Sequence, residues 1–427
     1  MNDSLTIHQL GNGLTVLLKE IHTAPIVSAW VWYGVGSRNE VPGKTGVSHW
    51  VEHMQFKGTK KHSAQDMDHT IARLGGYWNA FTSPDWTAYF ETLPASALET
   101  ALELEADRMT NSLFDPLEVE TERTVIISER EGSENDPQFL LNEAVQAHAF
   151  KHHPYRNEVI GSKEDLLALT REDLYTHYRQ TYQPANAILC IAGDFNTSEA
   201  LCLVEKHFGS IPAGKVVKNI PEPEDDLPEL SQLELQGPGE TTFIQVAYRS
   251  PKADSDDFFA FSLLESLLTG PSNLNMFGSG GVGHHTSRLY LAMVDEGLAA
   301  GVGGSLSANI DPSTFTLYLT KNPTRTIEEV LQTLDSQIEA LQNQPISQTE
   351  IDRALKQTKA LFAYSSDNIT NQAFWMGYAS SFARYDWFTH YVDRISSVTP
   401  EMIQSIAQKY LQPHARVIGV YQPKDGN

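Results

Sequence analysis

His49, Glu52 and His53 stand within one five-residue stretch, and their types and spacing suit metal-assisted hydrolysis. In Gly46-Val47-Ser48-His49-Trp50-Val51-Glu52-His53-Met54 the apolar residues Val47, Trp50, Val51 and Met54 recur at i, i+3, i+4 and i+7, one stripe of a helix. The three polar residues fall on the opposite face. Imidazoles at i and i+4 lie one turn apart, so both can reach one cation while the intervening carboxylate reaches a water on it. A lone histidine on such a helix is ordinarily a surface residue. With 15 histidines in 427 residues, the His-x-x-Glu-His triplet arises by chance only roughly a few hundredths of a time per chain.

Two histidines leave a zinc ion short of a third protein ligand, and hydrolytic sites commonly complete the set with a carboxylate. The helical stretch 117–130 places Glu118, Glu122, Val125 and Glu129 on one stripe, at successive spacings of four, three and four. Stacked carboxylates repel one another unless a cation or donors lie opposite. Glu129 as ligand, with Glu122 behind it, meets that need, although a solvated acidic face would show the same spacing. Glu131 points nearly the other way. The expectation is one zinc ion per chain on His49, His53 and Glu129, with Glu52 as the catalytic general base and Glu122 supporting the ligands.

Such a site needs rigid elements to hold it. Asn12-Gly13, flanked by Leu10 and the run Leu14 to Leu18, predicts a hairpin turn between strands. The segments 95–113 and 349–364 predict amphipathic helices. Thr170-Arg171-Glu172 leads through a helical stretch to Gln183-Pro184 and the apolar run 188–192. At a constant offset of 229 residues, Thr399-Pro400-Glu401 leads to Gln412-Pro413 and the run 417–421. The shared order of helix, Gln-Pro turn and buried strand predicts duplication. An α+β fold is expected, with two homologous domains, each a mostly antiparallel sheet covered by helices. The expected bounds are 1–214 for the zinc-binding domain and 231–427 for the repeat. Residues 215–230, rich in Pro and Glu and without hydrophobic period, read as an exposed linker.

At the same offset, His49, Glu52, His53 and Glu129 fall on Gly278, Gly281, Val282 and Thr358, so the second half is expected to hold no zinc. The run Gly278 to Gly283 lacks the Lys-Ser/Thr of a phosphate loop and reads as a flexible loop. His284 and His285 beside it read as surface residues.

A formal charge of −23 excludes a general nucleic-acid binder or a surface drawn to anionic lipid. The longest apolar stretch, 26–35, is too short to cross a bilayer, which takes about twenty residues. No basic, apolar leader opens the sequence, so a cytoplasmic location is expected, with Cys190 and Cys202 as free thiols.

Taken together, these residues resemble the pitrilysin/insulinase-type zinc peptidases, which include the mitochondrial processing peptidase. His49 to Thr59 looks like the family's metal helix and its exit, and Gly75 to Thr82 like its glycine pair and next strand. Glu129, 76 positions after His53, matches the third ligand, and Glu122 the supporting glutamate. His153-Pro154-Tyr155, Tyr182 to Asn186 and Gly193-Asp194 continue the pattern.

The resemblance implies a peptidase whose similar domains pair around a closed chamber for unfolded peptides. Its substrate would add as a strand along 78–82, with Asn79, Ala80, Phe81 and Thr82 as substrate-binding residues. It also implies an Arg and a Tyr from a second half, but here Val294 and Ala300 occupy those places; Arg288 and Tyr290 do not fit the spacing. Relatives often take the missing pair from a partner chain, so a dimer, with a homologous subunit supplying Arg and Tyr, is expected. The rival reading is a non-catalytic scaffold subunit of the same family. Such chains generally lack a zinc-site residue, and all four are present here. A metallohydrolase acting on a non-peptide bond would use the same site chemistry.

Overall fold

The computed structural model describes residues 5–224, 226, 228–275 and 284–424. The first hairpin joins β1 (Thr6–Gln9) to β2 (Thr15–Glu20). Gly13 turns it at φ 90°, in the left-handed region that glycine enters freely, and Asn12 Oδ1 accepts the Leu14 N–H. Next come β3 (Ile26–Tyr33), α1 (Val47–Met54), α2 (Ala64–Arg73), β4 (Tyr77–Thr82) and β5 (Thr87–Pro94). A helical run continues the chain: α3 (Leu98–Asn111), α4 (Pro116–Ser133), α5 (Pro137–Ala149), α6 (Lys163–Ala168) and α7 (Arg171–Thr181). β6 (Ala187–Gly193) and α8 (Thr197–Phe208) close the first half. The second half has β7 (Ser231–Gly237), β8 (Phe243–Ser250), α9 (Asp256–Leu268), β9 (Ala299–Leu306) and β10 (Ser313–Lys321). It ends with α10 (Ile327–Asn343), α11 (Gln348–Tyr364), α12 (Ile369–Phe382), α13 (Tyr385–Ser396), α14 (Pro400–Tyr410) and β11 (Val417–Pro423).

The fold is α+β, two sheets covered by helices. One sheet runs β1-β2-β6-β3-β5-β4 and the other β7-β11-β8-β10-β9. With β1 set aside, the two orders match strand for strand, including the one parallel pair in each, β2 with β6 and β7 with β11. The repeat is visible in the caps too: Thr170 caps α7 and Thr399 caps α14, each side chain accepting the N–H three residues on.

Compactness divides the chain into two units that interleave in sequence. One comprises 1–131, 157–221 and 366–385; the other comprises 132–156, 222–365 and 386–427. Each sheet thereby receives a helix from the opposite half of the sequence. α12 packs on β3 and β6, and α5 on β8 and β11. The central residues of α12, 373–379, are all buried, and its rings meet another aromatic layer: Phe374 lies 5.7 Å from Trp30 and 5.4 Å from Trp32. In the second unit, Leu141 and Val145 of α5 share a core with Ala247, Val417 and Tyr421.

The described residues of 215–230 form no regular secondary structure and most are exposed, but two side chains anchor the segment. Lys218 Nζ donates to Gly34 O and Asn186 Oδ1 in the first unit. Glu224 is buried in the second, where it accepts the N–H groups of Lys151, His152 and His153. The anchoring hydrogen bonds of Lys218 and Glu224 are invisible to hydrophobic periodicity.

The constant offset also fails locally. Gly278, Gly281 and Val282, with the rest of the glycine run, lie outside the described residues. α9, placed after β8 as α1 is after β3, takes the place of the metal-motif helix, and Ser262-Leu263-Leu264-Glu265-Ser266 repeats the spacing with serines for both imidazoles. Glu265 is buried and accepts backbone N–H groups of Ser272 and Leu306; burial pushes its carboxyl up to about 8. Cys190 is a buried and Cys202 an exposed free thiol. No helix among the described residues is long and apolar enough to cross a membrane.

This packing is open to mutation and titration. A Cβ on Gly377 of α12 would lie 2.0 Å from Trp32 Nε1, so Gly377→Ala should destabilise the chain by about 1–3 kcal/mol, seen as a lower urea midpoint. An unchanged midpoint would mean that the ring can shift. Glu265 carries a proton in the folded chain, at about 8 against an ordinary 4.5, that the unfolded chain releases. Stability should therefore fall as pH rises from about 4.5 to 8, and Glu265→Gln should remove that component from denaturation curves measured across this window.

Candidate metal centre

The helix that carries both imidazoles is held at its start by two carboxylates, one of them buried. Gly46 precedes α1 at φ 85°, and a Cβ there would stand 2.4 Å from Ile160 O, so glycine is required on two counts. Glu40 supplies the missing cap: its carboxylate accepts the N–H groups of Gly46 and Ser48, both at 2.8 Å. Burial raises the Glu40 carboxyl to about 7 even against those donors. Asp165 accepts the N–H and hydroxyl of the neighbouring Thr45. Val47, Trp50, Val51 and Met54 are buried in the first unit's core, as their stripe predicts.

α4 locks against this helix from the side. The Arg123 guanidinium lies 4.7 Å from the Trp50 ring centroid and donates to the carbonyls of Leu166 and Leu169. The buried residues of α4 are Val119, Glu122, Ile126 and Arg130. Val125, read from spacing onto the site-facing stripe, is exposed instead, because Ile126 takes the inward position.

His49, His53 and Glu129 converge. One donor atom from each lies within 4.8 Å of the others. Glu129 Oε1 is 4.0 Å from His49 Nε2, and Oε2 is 3.7 Å from His53 Nε2. The imidazole rings stand 4.6 Å apart and 67° to one another. Burial pushes His49 down to about 3, which keeps it a neutral ring with a lone pair to offer. Its Nδ1 is buried without a hydrogen-bond partner.

His53 is set differently. Its Nδ1 hydrogen-bonds Glu122 Oε1 at 2.7 Å, which leaves Nε2 facing Glu129. Burial opposes its charged form, but the bond to Glu122 and the charge of Glu52 hold its pKa above the ordinary value. Burial likewise favours protonated Glu122, and the bonds from His53 and Lys57 outweigh it, keeping that carboxyl low. Lys57 Nζ lies 2.5 Å from Glu122 Oε2. Glu131 turns away and pairs with Lys163. One imidazole nitrogen from each histidine and a carboxylate are a donor set suited to zinc, so the residues fit the ion.

Glu52 is buried beside this cluster, its carboxyl raised by burial, and its Oε2 accepts the Thr82 hydroxyl at 2.9 Å. Asn79, Ala80, Phe81 and Thr82 lie on β4, the edge strand next to β5. Asn79 Nδ2 donates to Tyr77 Oη, and Phe81 lies alongside Phe90 at 6.3 Å. Beneath the strand, buried Arg108 pairs with Glu91 and Glu105 among the rings of Phe56, Trp78 and Tyr89.

Sequence reasoning did not find Glu40, Lys57 or Arg108. Lys57 stands four residues after His53, a spacing that could have suggested it; Glu40 leaves no local signal. In the second unit Arg288 makes a two-point ion pair with Glu350.

Two family models match: Insulinase (Peptidase family M16) over residues 15–163 and the Peptidase M16 inactive domain over 168–358. The chain is 27% identical to an uncharacterized zinc protease of Mycobacterium leprae, across 97% of this chain and 92% of that one. It is 27% identical to a probable mitochondrial-processing peptidase subunit beta of Schizosaccharomyces pombe, across 84% and 78%. The crystal structure of a protease from Helicobacter pylori superposes with a TM-score of 0.89 at 27% identity, covering 99% of this chain and all of that one.

The Glu122 relay yields a direct prediction. Glu122→Ala should weaken zinc binding about 10- to 100-fold in chelator competition, while Glu131→Ala leaves it unchanged. Equal affinities would remove Glu122 from the site.

Proposed function

Because the chain belongs to the insulinase (M16) peptidase family, we propose that it is a zinc-dependent endopeptidase acting on unfolded peptides or small proteins. The observation that carries this reading is the convergence of His49, His53 and Glu129 beside buried Glu52. The three converging residues would hold one zinc ion, which when bound supplies Lewis-acid polarisation of the carbonyl and activation of water. Glu52 takes the proton of the attacking water and returns it to the departing amine. The raised carboxyl of Glu52 suits a group that must both accept and release a proton.

Substrate pairs its main chain with β4 along 79–82, an arrangement that tolerates many side chains and gives broad specificity. The family's closed chamber would confine the site to unfolded chains. Val294 and Ala300 stand where an Arg and a Tyr are expected, and Arg288 is already engaged by Glu350. A homologous partner subunit would supply the missing donors, since loss of one such donor costs roughly 100- to 1,000-fold in turnover.

Glu52→Gln should retain one zinc per chain and lose peptide cleavage, and chelation should abolish cleavage by the wild type. Cleavage is to be assayed on an unfolded polypeptide with the chain alone and with homologous subunits. Turnover surviving in Glu52→Gln, or loss of its zinc, would contradict the assigned roles.

A further inference from the structure

We infer that Thr82 is a positioning residue, its hydroxyl fixing the general base Glu52 and so joining the substrate-pairing strand to the proton-transfer group. This rests on the peptidase reading above.

Among the described residues, Thr82 Oγ1 is the one side-chain hydrogen-bond partner of Glu52, at 2.9 Å. Both ends of the bond are rigid. Glu52 lies inside α1, whose start is capped and whose apolar face is buried. Thr82 is the last residue of β4, paired with Thr87 across a hairpin that the Ser83 N–H closes onto Trp86 O. Between these anchors the glutamate has three rotatable bonds, and the hydroxyl selects among its rotamers.

The second unit carries a parallel. Glu265, at the matching place in the motif spacing, is tied to the end of the edge strand β9 through the Leu306 N–H. There the donor is backbone; in the first unit it is a side chain. The tie can therefore be cut without disturbing strand pairing, and Thr82's own backbone remains free to serve the substrate. Thr82 was expected only to bind substrate, and its side chain points to a different task.

The test compares wild type, Thr82→Val, Thr82→Ser and Glu52→Gln as full chains, with a homologous subunit where wild-type cleavage requires one. Steady-state cleavage of an unfolded polypeptide and zinc content are measured together. Thr82→Val, nearly the same shape without the hydroxyl, should keep its zinc and lose about 10- to 100-fold in kcat with KM within about threefold of wild type. Thr82→Ser should recover most of kcat. If Thr82→Val fails to fold, Thr82→Ala is judged by the same criteria. Unchanged kcat, a loss carried by KM, or no recovery in Thr82→Ser would overturn the inference. An inactive wild type, or Glu52→Gln as active as wild type, would instead defeat the peptidase reading itself.

Discussion

Two imidazoles one turn apart on a helix present lone pairs to a common point only if that helix neither rotates nor slides, and the rest of the first unit is arranged around this requirement. Four apolar side chains of α1 bury one face. Glu40 holds the helix start through two backbone N–H groups, and Gly46 admits the close approach of the neighbouring backbone. α4 brings Glu129 from far along the sequence and is keyed to the same helix by Arg123 over Trp50 and by Glu122 on His53. Each contact removes one freedom of motion from the donor atoms.

Electrostatics then separates residues of like type. His49 is kept neutral chiefly by burial, whereas His53 is oriented by a charged partner. Glu122 is held ionised by its bonds from His53 and Lys57, while Glu52 is raised because burial outweighs both the charge of His53 and the Thr82 hydroxyl. Burial and charged partners pull a carboxyl's proton affinity in opposite directions, and a different one wins at each residue. In the proposed reaction that difference would divide ligand support from proton transfer.

Local pattern made part of this legible. The metal helix, the Asn12-Gly13 hairpin, α4 and the repeated cap-helix-strand unit each rest on spacing within a short window, where periodicity and capping act. What the sequence could not reveal depends on partners far away. The apolar faces of α5 and α12 indicate burial but not against which sheet, so their exchange between the two units leaves no local trace. A constant offset misplaced the second copy of the motif because insertions shift α9. Thr82 reads equally as substrate contact or as support for Glu52 until the strand is set beside the helix, and Glu40 as a cap is separated from α1 by a loop.

The central claim is that His49, His53 and Glu129 share a single ion. X-ray absorption spectroscopy at the zinc edge on the zinc-loaded full chain tests it most directly. The account predicts one zinc per chain with two imidazoles and oxygen donors in its shell, and loss of one imidazole contribution in each single histidine-to-alanine variant. A shell without imidazole, or one unchanged by those substitutions, would contradict it.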